Sequence, residues 1–445
     1  MFSFLEMKRR LKSIIILNIF CILCWEIAGA QQKYLGTKSP YIFRPQKYTP
    51  PPEGFQPLFI EYVGRHASRF FTKPEADKAL IEMMSKGGLT SLGEKVLLAV
   101  KEIYAIQQNN YGNITLSGKA ELAAIGKRMR QQYASVWQGR GIEIVWTNKK
   151  RTHQSEVAFM KGFGSYDSTK MHIFSPPDSL NNTLRFYDIS PAYTQYKKGN
   201  FIKSRIDSLR YNSGSKTISR DIYIRIFKKF NSSEAWRFAQ NMYDIYCLLP
   251  VIKKEIAARG KNDSLFTPIY SAFTEEDLQW LDFIKQAKDF YEKGPGENNK
   301  GIQIKIAAPL LADFLYNIKR EIQQPNTLDA QLNFTHAETI SPFACLLGIP
   351  QASKASSSVF NYAKNWQASK IISMASNIQW VLYSNGKSYL VKVLLNERAA
   401  TLPISTTTFP YYQWKDVEDF YTKKLVALDN KKDPNWHNYL LNLKN

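Results

Sequence analysis

The chain has 445 residues, too many for one small domain and suited to a large domain that carries a smaller one. Hydrophobic residues make up 44% of it and aromatic residues 13%, which is enough apolar material for a sizeable core and excludes an intrinsically disordered protein. The formal net charge of +22 favours anionic partners, and nucleic acid, acidic polysaccharide or a polyphosphate would all fit.

The first thirty residues have the three parts of a secretion signal. Residues 8–12 are mostly basic, residues 13–25 are apolar, and Ala28-Gly29-Ala30 offers small residues for cleavage before Gln31. The apolar run is well short of the ~20 residues that a membrane span needs. We therefore expect residues 1–30 to be a cleaved signal peptide, and no other segment to span a membrane. The remaining chain keeps a charge of about +20, a field that steers anions toward it.

The cysteines limit the kinds of site that the chain can hold. Cys21 and Cys24 leave with the signal peptide, so Cys247 and Cys345 can form at most one intrachain disulfide. Neither remaining cysteine has the spacing of a metal ligand, so we do not expect a zinc site.

Strands and helices alternate through the first part of the chain. Residues 57–64 form a short apolar run that predicts a buried strand, and it leads directly into a charged segment. We expect further helices at residues 119–137 and 152–162, and further strands at residues 142–146 and 171–174. This alternation predicts an α/β fold with a mainly parallel central sheet.

The pattern becomes helical after Asp188 and returns to α/β near residue 300. Long helix-like stretches such as residues 233–256 and 274–293 fill the interval, and Gly294-Pro295-Gly296 ends it. A helix at residues 307–322 and strands at residues 331–335, 379–383 and 389–395 follow. We therefore expect one α/β domain in two parts, residues 31–188 and 301–445, interrupted by a smaller, mostly helical insert domain at residues 189–300.

Two predicted strands lead into segments that carry histidine and charge. Arg65-His66-Ala67-Ser68-Arg69 follows the first, and His336-Ala337-Glu338 follows the strand that ends near residue 335. In α/β folds, ligands bind beyond the carboxyl ends of strands. The His-x-Glu pair could be half of a metal site, but no third group of ligands accompanies it. The first segment taken alone could equally be an ordinary basic loop.

These residue types suit the hydrolysis of a phosphate monoester without a metal. Arginine binds phosphate oxygens with a planar fork and stays protonated. A neutral histidine can be the nucleophile, and a carboxylic acid can protonate the leaving oxygen.

The two segments resemble the motifs of a known family. Residues 65–69 are similar to the Arg-His-Gly-x-Arg-x-Pro signature of the histidine acid phosphatases, the larger branch of the histidine phosphatase superfamily. His336-Ala337-Glu338 resembles the His-Ala-Glu motif of the multiple inositol polyphosphate phosphatase subgroup. Further segments similar to that subgroup lie, in the same order, at residues 184–188, 289–296, 375–377 and 394–397. The resemblance covers roughly residues 57–414.

The resemblance implies a role for each site residue. His66 would accept the phosphoryl group, and Glu338 would protonate the leaving alkoxide and then activate water against the phosphohistidine. The residues expected to hold the phosphate oxygens are Arg65, Arg69, Arg151 and His336. Arg151 is placed only by its position after a strand, and a surface cation is the alternative for it. Neither a metal nor another cofactor is expected, because three guanidinium groups can stabilise the developing charge.

The sequence departs from the signature at two positions. Ala67 stands where the family usually has glycine, and Phe71 where it usually has proline. If the glycine is needed for a positive φ, alanine would add strain of about 1 kcal/mol. If it is needed for close approach of phosphate, the methyl group would crowd the pocket. The charged residues of the set are all present, so we expect an active enzyme.

The resemblance and the charge together predict a small polyanionic substrate. Phytate and lower inositol phosphates come first, with 2,3-bisphosphoglycerate behind them, and Lys73, Arg185 and lysines of the insert could contact distal phosphates. Two alternatives stay open: a broad acid phosphatase acting on sugar or nucleotide monophosphates, and a catalytically silent polyanion-binding homologue. Nucleic acid is not an expected partner, because no recognised module occurs and the basic residues are dispersed.

A glycosylation sequon, Asn333-Phe334-Thr335, directly precedes His336. A glycan at that position would block the pocket, which favours a bacterial exported protein over a eukaryotic secreted one. We therefore expect a periplasmic or secreted location.

Overall fold

A computed structural model describes residues 33–325, 327–429 and 435–444. Residues 33–35 belong to a unit with the residues before them, and the fold is that of the second unit, Gly36–Asn445. The predicted signal peptide lies outside the described residues.

A single sheet of eight strands forms the centre of this unit. Its strands are β1 (Gln56–Arg65), β2 (Ile142–Trp146), β3 (Met171–Phe174), β4 (Ala330–Thr335), β5 (Asn377–Ser384), β6 (Tyr389–Leu395), β7 (Arg398–Ala399) and β8 (Tyr411–Gln413). The order is β3-β2-β4-β1-β5-β6-β7, with β8 paired to β6. Strands β3, β2, β4 and β1 run parallel, and β5 begins an antiparallel extension. The predicted α/β class is confirmed, and every predicted strand lies within an observed one.

Helices cover both faces of the sheet. They are α1 (Ala76–Ser85), α2 (Ser91–Gln107), α3 (Leu116–Gln132), α4 (Lys150–Phe163), α5 (Phe186–Ile189), α6 (Pro191–Lys198), α7 (Asn200–Arg210), α8 (Ser213–Ile226), α9 (Ser232–Leu248), α10 (Lys253–Ala258), α11 (Thr267–Tyr270), α12 (Glu275–Lys293), α13 (Ile302–Lys305), α14 (Ala308–Gln323), α15 (Ala337–Leu346), α16 (Pro350–Ser353), α17 (Ala368–Ile371), α18 (Trp414–Leu428) and α19 (Trp436–Asn442). None of these helices is both long and apolar enough to cross a lipid bilayer.

The side chains of β1 alternate between two separate parts of the core. Phe59 and Val63 lie in a cluster that includes Phe314 of α14 and Phe343 of α15. Residues 60 and 62 lie in the other cluster, which includes side chains of α3 and α4. Successive side chains of a strand point to opposite faces of the sheet. When both faces are buried, apolar residues therefore follow one another without interruption in the sequence. This explains why residues 57–64 show no polar alternation.

Helices also account for residues 189–300, where the sequence predicts a helical insert. Local sequence sets two of the helix ends. The predicted stretch 233–256 is divided because Pro250 lies in a 3₁₀ turn, Leu249–Val251, between α9 and α10. Helix α12 begins after Thr274, which forms a capping box with Asp277. The proposed domain boundaries themselves stay a prediction.

Cys247 and Cys345, the two cysteines among the described residues, are both free and both buried. The disulfide that the sequence left open is therefore not formed.

The loop after β1 packs closely on α3, and this contact accommodates Ala67. Ala67 has no positive φ, so its methyl group adds no strain of that kind. Its side chain is fully buried in the same cluster as Leu122 and Ile125 of α3. Gly118 makes this approach possible, because a Cβ atom there would lie 2.2 Å from the Ser68 carbonyl oxygen and 3.1 Å from the Ala67 Cβ.

Gly118→Ala should therefore destabilise the protein despite the better helix propensity of alanine. Overpacking of this kind costs about 1–3 kcal/mol and should exceed the roughly 1 kcal/mol that alanine gains over glycine in a helix. Denaturant unfolding monitored by circular dichroism measures the change. Lys127→Ala, at an exposed position of the same helix, is the control and should stay within about 0.5 kcal/mol of the wild type. A Gly118→Ala protein as stable as this control would show that the close contact is not a constraint.

Candidate active site

The ends of two neighbouring parallel strands bring the two motif histidines together. Arg65, the last residue of β1, pairs in register with Thr335, the last residue of β4. The backbone N–H of His66 donates to the Thr335 carbonyl oxygen at 2.9 Å. The imidazole rings of His66 and His336 consequently lie with their centroids 5.4 Å apart.

The ring of His66 is held as a neutral tautomer with Nε2 unprotonated. Its Nδ1 lies 3.0 Å from the carbonyl oxygen of Ala67. A carbonyl oxygen only accepts, so Nδ1 carries the proton and donates it. Burial lowers the pKa of His66 well below its usual value, and the charges of Arg65, Arg151 and Arg69 lower it further. The lone pair of Nε2 is therefore available in mildly acidic as well as neutral solution.

Three arginines surround this histidine. Arg65 precedes it in β1, Arg69 follows it in the same loop, and Arg151 lies in the first turn of α4, just after β2. The Nε atom of each is buried and has no hydrogen-bond partner among the described residues. Burial lowers the pKa of Arg65 to about 10 and, together with Arg151, that of Arg69 to about 9. Three crowded cations with unused donors form a site for an anion.

Fixed contacts orient the arginine side chains. Nη1 of Arg65 donates to the carbonyl oxygens of Thr37 at 2.6 Å and Ile372 at 2.5 Å. Nη1 of Arg69 donates to the carbonyl oxygen of Phe70 at 2.8 Å. These bonds use one side of each guanidinium group and leave the remaining N–H groups for a ligand.

Backbone contacts tie the His66 loop to the helices beside it. The Ala67 N–H donates to Ser155 Oγ at 3.2 Å, and Ser155 Oγ donates to the Arg151 carbonyl oxygen at 2.7 Å. Ser68 donates to Glu121 of α3 through its N–H and its hydroxyl, at 3.0 and 2.6 Å. The histidine and Arg151 are therefore linked through Ser155.

His336 lies immediately before α15 and has the opposite tautomer. Nη2 of Arg151 donates to its Nδ1 at 3.1 Å, so Nδ1 is unprotonated. Its Nε2–H then donates to Thr147 Oγ1 at 2.8 Å, and Thr147 in turn contacts Thr152 Oγ1 at 2.9 Å. Burial, with Arg151 next, lowers the pKa of His336 well below its usual value.

Arg185 lies at the site, whereas Lys73 has an exposed side chain, and its contact with a distal phosphate stays a prediction. Nη1 of Arg185 lies 3.3 Å from His336 Nε2, a contact between two donors in this tautomer. Its Nη2 forms ion pairs with Asp178 at 3.4 Å and with Asp188. Arg185 could therefore turn an N–H toward an anion bound next to His336. The Lys73 side chain is 74% exposed and lies 3.8 Å from Glu75.

Glu338 lies in the first turn of α15 and forms an ion pair that the sequence did not reveal. Its Oε1 is 2.9 Å from Nζ of Lys293, which is also 2.9 Å from Oδ1 of Asp289. Desolvation by the surrounding protein would raise the pKa of the Glu338 carboxyl, but the Lys293 ammonium holds it well below its usual range. Glu338 is therefore ionised in the free protein. The four-residue spacing of Asp289 and Lys293 predicts an ion pair between these two residues on one helix, but it does not connect Lys293 to Glu338.

The positions of the predicted residues agree with one common site. His66, Arg65, Arg69, Arg151, His336 and Glu338 come together at the carboxyl ends of β1, β2 and β4. Across the described ranges, no group of three or more His, Cys, Asp or Glu side chains is arranged to hold a metal ion.

Three comparisons place this site in a family. The family model described as "Histidine phosphatase superfamily (branch 2)" matches residues 59–396. The chain is 21% identical to human multiple inositol polyphosphate phosphatase 1 over 92% of this chain and 90% of that protein. It is 22% identical to a thiamine-repressible acid phosphatase of Schizosaccharomyces pombe over 83% of this chain and 82% of that protein.

A solved structure shares the fold. The crystal structure of the Bifidobacterium longum multiple inositol polyphosphate phosphatase in complex with inositol hexasulfate superposes with a TM-score of 0.74 at 22% identity. The match covers 87% of this chain and 97% of the other. The family model covers most of the chain, including both histidine motifs and Arg151, and the resemblance seen in the sequence is confirmed. The chain belongs to branch 2 of the histidine phosphatase superfamily and is a phosphomonoesterase.

Proposed function

We propose that the protein hydrolyses inositol polyphosphates through a phosphohistidine on His66. The observation that carries this proposal is the orientation of the His66 ring. Its Nδ1 proton is bound by the Ala67 carbonyl oxygen, and Nε2 is left unprotonated among three arginines with unused N–H groups. A neutral imidazole in that setting is a nucleophile aimed at a bound anion.

In the first step, Nε2 of His66 attacks phosphorus in line with the leaving oxygen. A P–N bond forms, the P–O bond to the substrate breaks, and the leaving oxygen takes a proton from Glu338. Arg65, Arg69 and Arg151 bind the oxygens of the transferring group and stabilise its charge. The proton on Nδ1 stays in place, and its bond to the Ala67 carbonyl oxygen supports the positive charge that develops on the ring.

In the second step, water attacks the phosphohistidine. Glu338, now ionised, accepts a proton from the attacking water. The new P–O bond forms as the P–N bond breaks, which releases inorganic phosphate and returns His66 to its neutral state. Both steps use Glu338, first as an acid and then as a base.

Two observations support a substrate with several phosphates. The net charge of +22 provides a long-range field for a polyanion. Arg185 and Lys293 add cationic groups beside the arginines that surround His66. The human relative is named for inositol polyphosphates, and the Bifidobacterium enzyme binds inositol hexasulfate in its crystal structure. Phytate and lower inositol phosphates are therefore the proposed substrates.

A broad acid phosphatase is the second candidate. The relative from S. pombe is an acid phosphatase and matches this chain at an identity similar to that of the human enzyme. Such an enzyme would need only His66, Glu338 and the arginine clamp, by which we mean Arg65, Arg69 and Arg151. All of these residues are present.

His66→Ala should abolish turnover and leave the fold intact, because it removes the proposed nucleophile. Quenching the wild-type enzyme with phosphorus-labelled substrate under neutral conditions should trap an acid-labile phosphoprotein that the variant does not form. His172→Ala, an exposed histidine on β3, is the matched control and should keep wild-type activity. Activity of the His66→Ala variant at about a tenth of the wild-type rate or more would exclude the mechanism.

The choice between the two candidates is tested by substrate preference and salt. kcat/KM for phytate should exceed that for an alkyl monophosphate, and sodium chloride should reduce the difference, because ions screen exposed charges beyond a Debye length of ~10 Å at 0.1 M. Hydrolysis of the monophosphate should depend less on salt, since its contacts lie inside the pocket. Parallel salt curves without a preference for phytate would favour the broad acid phosphatase.

We also propose that the protein is exported to the periplasm or the medium, on the signal-like pattern of residues 1–30. The mature protein should then begin near Gln31. Sequencing the N-terminus of protein purified from its native host tests this proposal, and a cytosolic protein that retains Met1 would contradict it.

A further inference from the structure

Lys293 connects the helical segment to the proton donor. It is the last residue of α12, and its side chain is only 9% exposed. Its Nζ lies 2.9 Å from a carboxylate oxygen of Asp289 and 2.9 Å from one of Glu338. The Glu338 side chain, by contrast, is 36% exposed and can reach a bound substrate. The ammonium group is thus shared between two carboxylates, of which one is part of the active site.

This ion pair conflicts with the first catalytic step. A general acid must carry its proton when the substrate is bound. In the free protein the Lys293 ammonium stabilises the ionised form of Glu338, so the donor is unprotonated. Something in the enzyme–substrate complex must weaken this ion pair before Glu338 can protonate the leaving oxygen.

We propose that Lys293 determines specificity for polyphosphates: a phosphate next to the scissile one draws the Lys293 ammonium away from Glu338, which then takes up the proton that it donates. This inference rests on the proposed function and names the residue through which a second phosphate promotes catalysis. The proton comes from solvent during binding and passes from Glu338 to the leaving oxygen when the P–O bond breaks. Lysine suits this role because its ammonium is a compact charge on a flexible stem.

The other charges near Glu338 do not distinguish one substrate from another. Glu338 is coupled electrostatically to His336 on its own segment, to Arg65 and Arg69 of the His66 loop, and to Arg151 of α4. Tyr187, Asp188 and Tyr193, from the residues after β3, are also coupled electrostatically to it, and Asp289 forms an ion pair with Lys293. Any phosphate in the clamp offsets the arginine charges. A second phosphate, by contrast, would compete with Glu338 and Asp289 for Lys293.

The test is the pH dependence of kcat for phytate and for glycerol phosphate in the wild type and in Lys293→Gln. Glu338 must be protonated, so a higher pKa moves the basic limb of the profile to higher pH. With glycerol phosphate, Lys293→Gln should move this limb upward and raise kcat on it by roughly tenfold per pH unit moved. The preference for phytate should fall on the order of tenfold, and Lys293→Arg should restore part of it.

Two further variants complete the test: one should shift the basic limb in the opposite direction, and the other is a control. Asp289→Asn removes the competing carboxylate, so Lys293 should bind Glu338 more tightly and the basic limb should move to lower pH. This opposite shift also tests the proposal if circular dichroism shows that Lys293→Gln does not fold. Lys288→Gln removes a 60% exposed lysine of the same helix, whose contact is Glu292 at 3.7 Å, and should leave the basic limb with glycerol phosphate unchanged.

The results of these experiments distinguish a failure of the Lys293 proposal from a failure of the proposed function. A wild type without preference for phytate would contradict the proposed substrate class. The inference alone would be overturned by a different result, in which the wild type does prefer phytate. In that case Lys293→Gln would only raise KM for phytate and would keep the basic limb of the wild type with glycerol phosphate. Adding Glu338→Gln to Lys293→Gln should abolish the shift, and a shift that persists would mean that another group titrates.

Discussion

The crowding of positive charge around a neutral histidine is the constraint on which the rest of this site depends. Arg65, Arg69 and Arg151 are close enough for burial and mutual repulsion to lower the pKa of Arg69 to about 9. Burial and the same charges lower the pKa of His66 and keep its ring neutral. In the proposed mechanism, an anion bound by these three arginines relieves their repulsion and lies directly beside His66, the nucleophile. Binding and chemistry would then use one electrostatic arrangement, in which the guanidinium groups stabilise the charge of the transferring phosphoryl group.

The fold supplies this arrangement through backbone geometry more than through side-chain contacts. Parallel pairing of β1 with β4 places His66 beside His336, and a backbone hydrogen bond from His66 to Thr335 fixes the separation. Carbonyl oxygens then orient Arg65 and Arg69 and determine the tautomer of His66. Gly118 allows the loop to lie directly on α3, so the alanine at position 67 points into the core. The departure from the usual glycine is therefore a change in packing and not in the pocket.

The sequence predicted the parallel core and the two histidine segments because both depend on local patterns: apolar runs of strand length and charged residues at their ends. It also placed Arg151, although only by its position after a strand. It could not predict the partner of Glu338, because Lys293 lies 45 residues away in the chain and meets Glu338 only when α12 ends beside α15. The distal-phosphate contact expected for Lys73, whose side chain is exposed, stays a prediction.

The two proposed catalytic steps need Glu338 in opposite protonation states. In the proposed second step Glu338 accepts a proton from water, and the ion pair with Lys293, which favours the ionised carboxylate, prepares it for that role. The first step needs the opposite state, so one residue must serve at two different pKa values within a turnover. A fixed environment could favour only one of the steps. The proposed movement of Lys293 with the substrate would resolve this conflict. Lys293 would leave Glu338 while the leaving group is bound, and it would return once the dephosphorylated product has left, when the carboxylate has to act as the base.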